Sequence, residues 1–254
     1  MTRKAHETLV SDQFGARAAA YVTSPVHAKG EDLDQFAARL RATPAERLLD
    51  LGCGGGHVSF HAAPHAGAVV AYDLSDDMLA AVAQEALARG LTNLATRQGA
   101  VERLPFPEGA FDVVASRFSA HHWHDFAVGL KEARRVLAPG GRAFFTDSIS
   151  PGPALLDTYL QTVEMLRDPS HVRSYALAEW SQAVGEAGFR PTAVTLRRLR
   201  LEFTSWVTRM ATPEAHVAAI RSLQGRMSSE VTRHFDIQPD GSFLLDTMMI
   251  EATV

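Results

Sequence analysis

The sequence predicts an α/β fold with a mostly parallel sheet, on the basis of three features of the 254-residue chain. Short apolar runs alternate with amphipathic helical segments through its middle part, which is typical of strands joined by right-handed helical crossovers. A glycine-rich segment directly follows the first of these runs. A further apolar run after the turn signal Pro239-Asp240-Gly241 predicts a last strand near the carboxyl terminus.

The middle zone, residues 47–148, contains the predicted core of the sheet. Apolar runs predict its strands at 47–51, 68–74, 93–98, 111–117 and 142–148. Amphipathic spacing predicts connecting helices at 57–63, 75–89 and 125–137. Ser75 is a suitable N-cap, and Gly90 and the run Pro139-Gly140-Gly141 are stop signals.

Two helix-rich zones flank this core. In residues 1–46, a helical face formed by Leu33, Phe36, Ala37 and Leu40 ends at Thr43-Pro44. In residues 149–254, the pattern predicts helices at 153–167 and 178–187, a strand at 192–203, a helical stretch over 204–235 and the last strand at 242–254. Because no internal repeat or linker interrupts the sequence, we expect a single domain.

The composition argues against several classes of protein. A net charge of −4 and a pI near 6.3 argue against a chain-wide electrostatic grip on nucleic acid. The single cysteine, Cys53, allows neither an intramolecular disulfide nor a zinc site built on several cysteines. The sequence contains no signal-peptide-like core and no apolar run long enough to span a bilayer, so we expect a cytoplasmic protein.

The glycine-rich segment LLDLGCGGG has the pattern Asp50-x-Gly52-x-Gly54-x-Gly56 and follows the first predicted strand. Glycines let the backbone turn sharply there, and open α/β sheets bind ligands at this edge. A dinucleotide fingerprint would need a third glycine where His57 stands. S-adenosylmethionine has no phosphate but carries a sulfonium and an ammonium group, and the carboxylate of Asp50 would suit that positive charge.

Asp73 is the second candidate binding residue, because it ends the next predicted strand 21 residues after Gly52. A carboxylate at this spacing can accept hydrogen bonds from both hydroxyls of a ribose. The alternative is a surface aspartate that opens a turn before the Ser75 cap. Its position relative to the glycine loop favours the ribose role.

The motifs LLDLGCGGG, AYDLS, GAVERLPFPEGAFDVV and RVLAPGGR resemble those of the class I S-adenosylmethionine-dependent methyltransferases. Within that class they are similar to the methyltransferase type 11 branch, which includes the ubiquinone and menaquinone methyltransferases, and to a bacterial subgroup of it. The resemblance implies a Rossmann-like, seven-stranded sheet with its last strand antiparallel. It also implies a helical lid in residues 1–46, a cofactor-binding core in 47–148, and substrate-side helices and last strands in 149–254.

The resemblance also implies a set of cofactor-binding residues. Gly52, Cys53 and Gly54 would line the methionine and ribose portions of the cofactor. Asp73 would hold the ribose, and Leu74 and Met78 would pack on the adenine. Ala100 replaces an aspartate that often binds the adenine amino group, so that the backbone N–H of Val101 is the remaining contact there. Ser116 and Phe118 would face the sulfonium, and Tyr21 would cover the cofactor.

Several of these residues have a simpler interpretation. Leu74, Met78 and Phe118 could belong to the apolar core, because apolar residues are buried more often than they bind ligands. Cys53 is better explained as a small packing residue than as a nucleophile.

The segment RFSAHHWHDF (117–126) follows the fourth predicted strand at the same edge of the sheet. It offers three histidines, and we take His122 as the candidate general base on a hydroxyl, an amine or a carbon acid. The alternative is that the segment only shapes the wall of the site, because alignment and desolvation can supply much of the acceleration of a methyl transfer. Neighbouring histidines point apart, so we expect no metal site.

The third zone is expected to build the pocket for a small-molecule methyl acceptor. Candidate residues are Tyr159, Arg173, Tyr175, Trp180, Trp206 and Arg209. Core packing is the alternative for Trp206, Val207 and Met210, which share one helical face. The sequence does not fix the oligomeric state, and a homodimer is one candidate. Alternative functions are a nicotinamide-dependent oxidoreductase, a non-catalytic S-adenosylmethionine-binding regulator, and an RNA or protein methyltransferase.

Overall fold

A computed structural model describes residues 5–15, 18 and 29–254, and its framework is a seven-stranded sheet. The strands are β1 (Ala45–Leu51), β2 (Ala66–Asp73), β3 (Leu94–Gln98), β4 (Phe111–Arg117), β5 (Leu137–Ser148), β6 (Arg190–Leu201) and β7 (Phe243–Thr253). Their order is β3-β2-β1-β4-β5-β7-β6. β7 runs antiparallel to both of its neighbours, and the pairs from β3 to β5 are parallel. The predicted fold class, including the antiparallel last strand, is confirmed.

The helices lie between these strands and before β1. They are α1 (His6–Gly15), α2 (Glu31–Ala42), α3 (His57–Ala62), α4 (Asp76–Ala88), α5 (Phe126–Val136), α6 (Ala154–Arg167), α7 (Leu177–Glu186), α8 (Phe203–Arg209), α9 (Glu214–Gln224) and α10 (Ser229–His234). Ser75 caps α4 as predicted, because its hydroxyl accepts a hydrogen bond from the Met78 N–H at 3.3 Å. Asp125 caps α5 in the same way, accepting from Val128 at 3.0 Å.

Helices cover the sheet on both faces. Adjacent residues of a strand point to opposite sides of the sheet, so they pack in different clusters. Leu48, Val113 and Phe144 pack in one cluster with α2 and α3. Their neighbours Leu49, Val114 and Phe145 pack in the other cluster with α5 and α7. A third cluster joins α6, α8, α9 and α10 to the adjoining ends of β6 and β7. These helices therefore form a separate apolar layer beside the sheet.

Two predicted details differ in the structure. The helical stretch expected over 204–235 is divided into α8, α9 and α10. The break between α8 and α9 occurs where Ala211 has a positive φ of 48° and Pro213 is the N-cap of α9. The run Pro139-Gly140-Gly141 does not simply separate α5 from the next strand. β5 already begins at Leu137, and its pairing with β4 is irregular between the partners of Phe111 and Val113. No helix in the described ranges is long and apolar enough to cross a membrane.

Candidate active site

A continuous cavity lies at the carboxyl ends of β1, β2, β4 and β5. The glycine loop forms one wall, and the segment after β4 forms another. α1, the end of α6 and the β6–α8 region close the remaining sides. The topology explains this arrangement, because the strand order changes direction beside β1 and leaves a crevice between the two loops.

Gly52 and Gly54 have different functions in the loop after β1. Both have positive φ angles, 64° and 48°. A Cβ atom on Gly52 would lie 1.8 Å from the Ser119 hydroxyl, so this glycine lets the loop after β4 approach closely. A Cβ on Gly54 would meet no atom of the described residues within 4 Å. Gly54 therefore keeps open space at the cavity wall.

Asp50 is a buried carboxylate at the end of β1, with 1% of its surface exposed. Its Oδ2 accepts hydrogen bonds from the Ser59 N–H at 3.0 Å and the Ser59 hydroxyl at 2.7 Å. Its Oδ1 has no hydrogen-bond partner within the part of the chain that the structure describes. Burial raises the pKa of Asp50 to about 7, although the bonds from Ser59 oppose the shift. An oxygen of this kind fits a cationic hydrogen-bond donor from a ligand.

Asp73 ends β2 and also lines the cavity. Its Oδ2 accepts from the Gly54 N–H at 2.9 Å, and its Oδ1 accepts from the Ser75 N–H at 3.0 Å. Burial raises its pKa above the ordinary value, and these backbone bonds oppose the shift. The carboxylate is therefore held in a fixed orientation between the glycine loop and the start of α4.

The structure brings most of the remaining predicted cofactor residues to the cavity wall. They are Cys53, Leu74, Met78, Val101 and Phe118. Met78 is fully buried and Val101 is 7% exposed, so both also serve the apolar core. Burial, together with the charges of Asp73 and Asp50, raises the pKa of Cys53, in agreement with a packing role for this thiol.

Two predicted residues lie away from this cavity, and one lies outside the described residues. Ala100 does not line it, and its carbonyl accepts a hydrogen bond from the Tyr72 hydroxyl at 3.1 Å. Ser116 is 3% exposed and lines a second, small cavity beside Arg117. Tyr21 falls in the range that the structure does not describe.

The segment after β4 is held tightly against its surroundings. The N–H of Phe118, which has a positive φ of 50°, donates to the Thr146 carbonyl at 2.8 Å. The Arg117 guanidinium pairs with the carboxylate of Asp32. The indole N–H of Trp123 donates to the Ser119 hydroxyl at 3.0 Å. Trp123 is 4% exposed and lines the cavity, so it belongs to both the core and the wall.

His121 and Asp147 form a hydrogen-bonded pair at the ends of β4 and β5. The distance from His121 Nδ1 to Asp147 Oδ1 is 2.5 Å. Burial alone would lower the pKa of His121, but the charge and hydrogen bond of Asp147 outweigh it and raise the pKa overall. His121 lines the cavity, so a basic imidazole stands beside the ligand space.

His122, the predicted base, lies in a different electrostatic environment. Its Nδ1 is 3.1 Å from the Ser170 carbonyl oxygen and therefore donates to it. Burial and the neighbouring charge of His121 lower the pKa of His122 to about 3. It lines the cavity as a neutral, weakly basic ring. Of the two neighbouring histidines, His121 has the environment that a general base needs.

The end of α6 contributes acidic residues that the sequence pattern did not single out. Glu164 is 6% exposed and pairs with Arg167 at 3.3 Å. Asp168 is 1% exposed, and its Oδ1 accepts from the Ser170 N–H at 2.9 Å and from the Ser170 hydroxyl at 2.6 Å. The side chains of Glu164, Arg167 and Asp168 line the cavity. Only the tertiary fold brings the end of this helix to the glycine loop.

The residues expected to build the acceptor pocket are divided between wall and core. Trp206 and Arg209 line the cavity, although Trp206 is also buried in the apolar layer around α8. The others lie elsewhere: Tyr159 packs on Phe235, Tyr175 stacks on Phe126, Trp180 is buried against the sheet, and Arg173 pairs with Asp157 and Glu179. No group of three or more potential metal ligands is found in the described parts of the chain.

Comparison with known proteins agrees with this architecture. A methyltransferase domain family matches residues 49–145. The Escherichia coli (strain K12) protein YafE is 52% identical over 197 residues, which cover 78% of this chain and 95% of YafE. YcgJ of Bacillus subtilis (strain 168), described as an uncharacterized methyltransferase, is 30% identical over 244 residues, 94% of this chain and 96% of YcgJ.

The solved structures agree as well. The crystal structure of YcgJ from Bacillus subtilis matches with a TM-score of 0.82 and 28% identity, over 88% of this chain and 97% of that one. The sheet order, the antiparallel β7 and the glycine loop define the class of Rossmann-like methyltransferases. The chain belongs to the S-adenosylmethionine-dependent methyltransferase family that contains YafE and YcgJ. Its cofactor is S-adenosylmethionine, and the nicotinamide alternative is wrong.

Proposed function

We propose that this methyltransferase acts on a small molecule that binds in the cavity beside the glycine loop. The same cavity would hold the cofactor, and the observation that carries this part of the proposal is the unpartnered Oδ1 of Asp50 in the described chain, buried where the loop begins. A carboxylate oxygen left without a donor costs about 1–3 kcal/mol. The ammonium group of S-adenosylmethionine would satisfy it.

The residues around Asp50 fit the rest of the cofactor. Gly52, Cys53 and Gly54 would contact the methionine and ribose portions, and the open space at Gly54 admits them without a clash. Asp73 would accept from the ribose hydroxyls with lone pairs that its two backbone bonds leave free. When bound, S-adenosylmethionine supplies a methyl group that the adjacent sulfonium makes electrophilic.

The adenine would lie between the apolar side chains at the other end of the loop. Leu74, Met78 and Val101 line this part of the cavity, whereas Phe118, directly after β4, would face the sulfonium. Ala100 and Ser116 would act only through neighbouring backbone, because neither side chain reaches the cavity wall.

The acceptor side of the cavity has a mixed lining, which supports a small and largely apolar acceptor with one polar end. An apolar surface is formed by Leu199, Leu201, Trp206, Met210 and Leu245. Glu164, Arg167 and Asp168 line the same cavity, and the Arg167 guanidinium lies 5.0 Å above the centre of the Trp206 ring. The net charge of −4 favours such an acceptor over a nucleic acid.

Calorimetry tests the position proposed for the cofactor. S-adenosylhomocysteine is titrated into the unmodified protein and into Asp50→Asn, and we expect weaker binding by the variant. Mass spectrometry then follows methyl incorporation into a panel of small metabolites and into total RNA. Equal affinities of the two proteins for S-adenosylhomocysteine, or methylation of RNA alone, would contradict the proposal.

A further inference from the structure

The pair formed by His121 and Asp147 has the geometry of an oriented base. Asp147 is 1% exposed, and its Oδ1 also accepts from the Ser148 N–H at 2.7 Å. Because that oxygen accepts at 2.5 Å from His121, the imidazole proton lies on Nδ1. The other ring nitrogen, Nε2, then carries the lone pair of a ring that lines the cavity.

The backbone of His121 is fixed as firmly as its ring. Its carbonyl accepts from the Val172 N–H at 2.8 Å and from the Arg173 N–H at 3.3 Å. This fixed backbone ties the loop after β4 to the segment that follows α6. The imidazole is therefore positioned before any ligand binds.

We propose that His121, positioned by Asp147, is the general base that removes the proton from the acceptor, and that the acceptor is an acidic hydroxyl compound such as a phenol or an enol. This inference rests on the proposed function. It assigns the catalytic role to His121 rather than to His122, and Asp147 acts as a positioning residue.

The nature of the base favours a hydroxyl over an amine. A neutral amine or thioether attacks a methyl group through its own lone pair and needs no base while the bond forms. A hydroxyl must lose its proton as the oxygen forms its bond to carbon. In this step the acceptor O–H bond breaks, its proton passes to His121 Nε2, an O–CH3 bond forms and the S–CH3 bond breaks. The proton later leaves His121 to water.

The surrounding charges direct the proton to His121 alone. The ionisable groups that face it are Asp147, His122, His171, Glu164 and Asp168. Burial and the neighbouring histidines lower the pKa of His171 to about 2, and His122 is likewise neutral. The carboxylates of Asp147, Glu164 and Asp168 favour the protonated form of His121. One ring therefore accepts the proton while its two neighbours stay uncharged.

Nitrogen-detected NMR of histidine-labelled protein tests the base directly, in the complex with S-adenosylhomocysteine. We expect His121 to carry its proton on Nδ1, to titrate at Nε2, and to have a lower pKa in Asp147→Asn. The matched control is Asp246→Asn, which removes a second histidine–aspartate pair, to His234 at 2.7 Å, outside the cavity. A His121 protonated on Nε2, or one insensitive to Asp147→Asn, would overturn the proposal.

A phenol probe tests the acceptor class. 4-Nitrophenol is titrated into the S-adenosylhomocysteine complex, where we expect the phenolate absorption band at a pH at which free 4-nitrophenol is protonated. His121→Gln should abolish this band while S-adenosylhomocysteine affinity changes less than about twofold, which also shows that the variant folds. Cofactor-product binding without a phenolate band overturns the inference alone. Absence of S-adenosylhomocysteine binding to the unmodified protein contradicts the proposed function itself.

Discussion

The Asp73 carboxylate accepts a hydrogen bond from the Gly54 N–H at 2.9 Å, so the end of β2 holds the loop that follows β1. Two neighbouring parallel strands thereby fix the same wall of the cavity. The position of this carboxylate depends on the backbone of the loop, and the open shape of the loop depends on the carboxylate. Ligand binding and loop structure are coupled at this one contact.

Asp73→Asn should weaken binding of S-adenosylhomocysteine about 10- to 100-fold, because an amide accepts hydrogen bonds from ribose hydroxyls less strongly than a carboxylate. Calorimetry measures the loss. The control is Asp34→Asn, on the exposed face of α2, which should bind as the unmodified protein does. Equal affinities for the two variants would show that Asp73 does not hold the ribose.

Gly54→Ala should abolish cofactor-product binding while leaving the fold intact. The new methyl group occupies the cavity wall, and the positive φ of 48° costs about 1 kcal/mol. Gly140→Ala is a matched control. Gly140 also has a positive φ, 74°, and a Cβ there would meet no atom of the described residues within 4 Å, but Gly140 lies outside the cavity. Both variants should lose similar stability in urea, and only Gly54→Ala should lose binding. Retained binding in Gly54→Ala would contradict the assigned wall.

The sheet and its glycine loop were predictable from local sequence. β4 was expected at 111–117 and occupies Phe111–Arg117, because its apolar run is bounded by clear turn signals. Asp50 is predicted as a site residue from the glycine loop that it opens, and Asp73 from its position at the end of the next strand, 21 residues after Gly52. The division of 204–235 into three helices was missed, although Thr212-Pro213 was a visible break.

The far side of the cavity was not predictable in the same way. Asp168 lies beyond the end of α6, and no local pattern connects that helix to the glycine loop. His121 and His122 are neighbours in sequence, and only the partner of each ring distinguishes them: Asp147 for one and the Ser170 carbonyl for the other. The sequence alone shows neither partner, so it does not distinguish the two rings as candidate bases.

Asp50 should make the stability of the ligand-free protein depend on pH. Its pKa rises from 3.8 to about 7 on folding, so the folded state binds the proton more tightly than the unfolded state. The stability that this difference in Asp50 pKa contributes is fully present below about pH 4, and it is lost as the pH rises towards and through about 7. Asp50→Asn should remove this pH-dependent contribution to the free energy of unfolding, which is at most about 4 kcal/mol. Urea unfolding curves measured across that pH range test this. An unchanged slope would show that Asp50 ionises normally in the folded protein.

The same carboxyl should make cofactor binding depend on pH in the opposite direction. An ammonium group beside the buried Oδ1 favours the ionised form, so binding requires Asp50 to release its proton. The affinity for S-adenosylhomocysteine should therefore rise about tenfold between about pH 6 and about pH 8. Asp50→Asn should bind more weakly and lose this dependence, whereas Asp34→Asn should keep it. Calorimetry in buffers of different ionisation enthalpy also counts the released proton, and binding without proton release near neutral pH would place the ammonium group elsewhere.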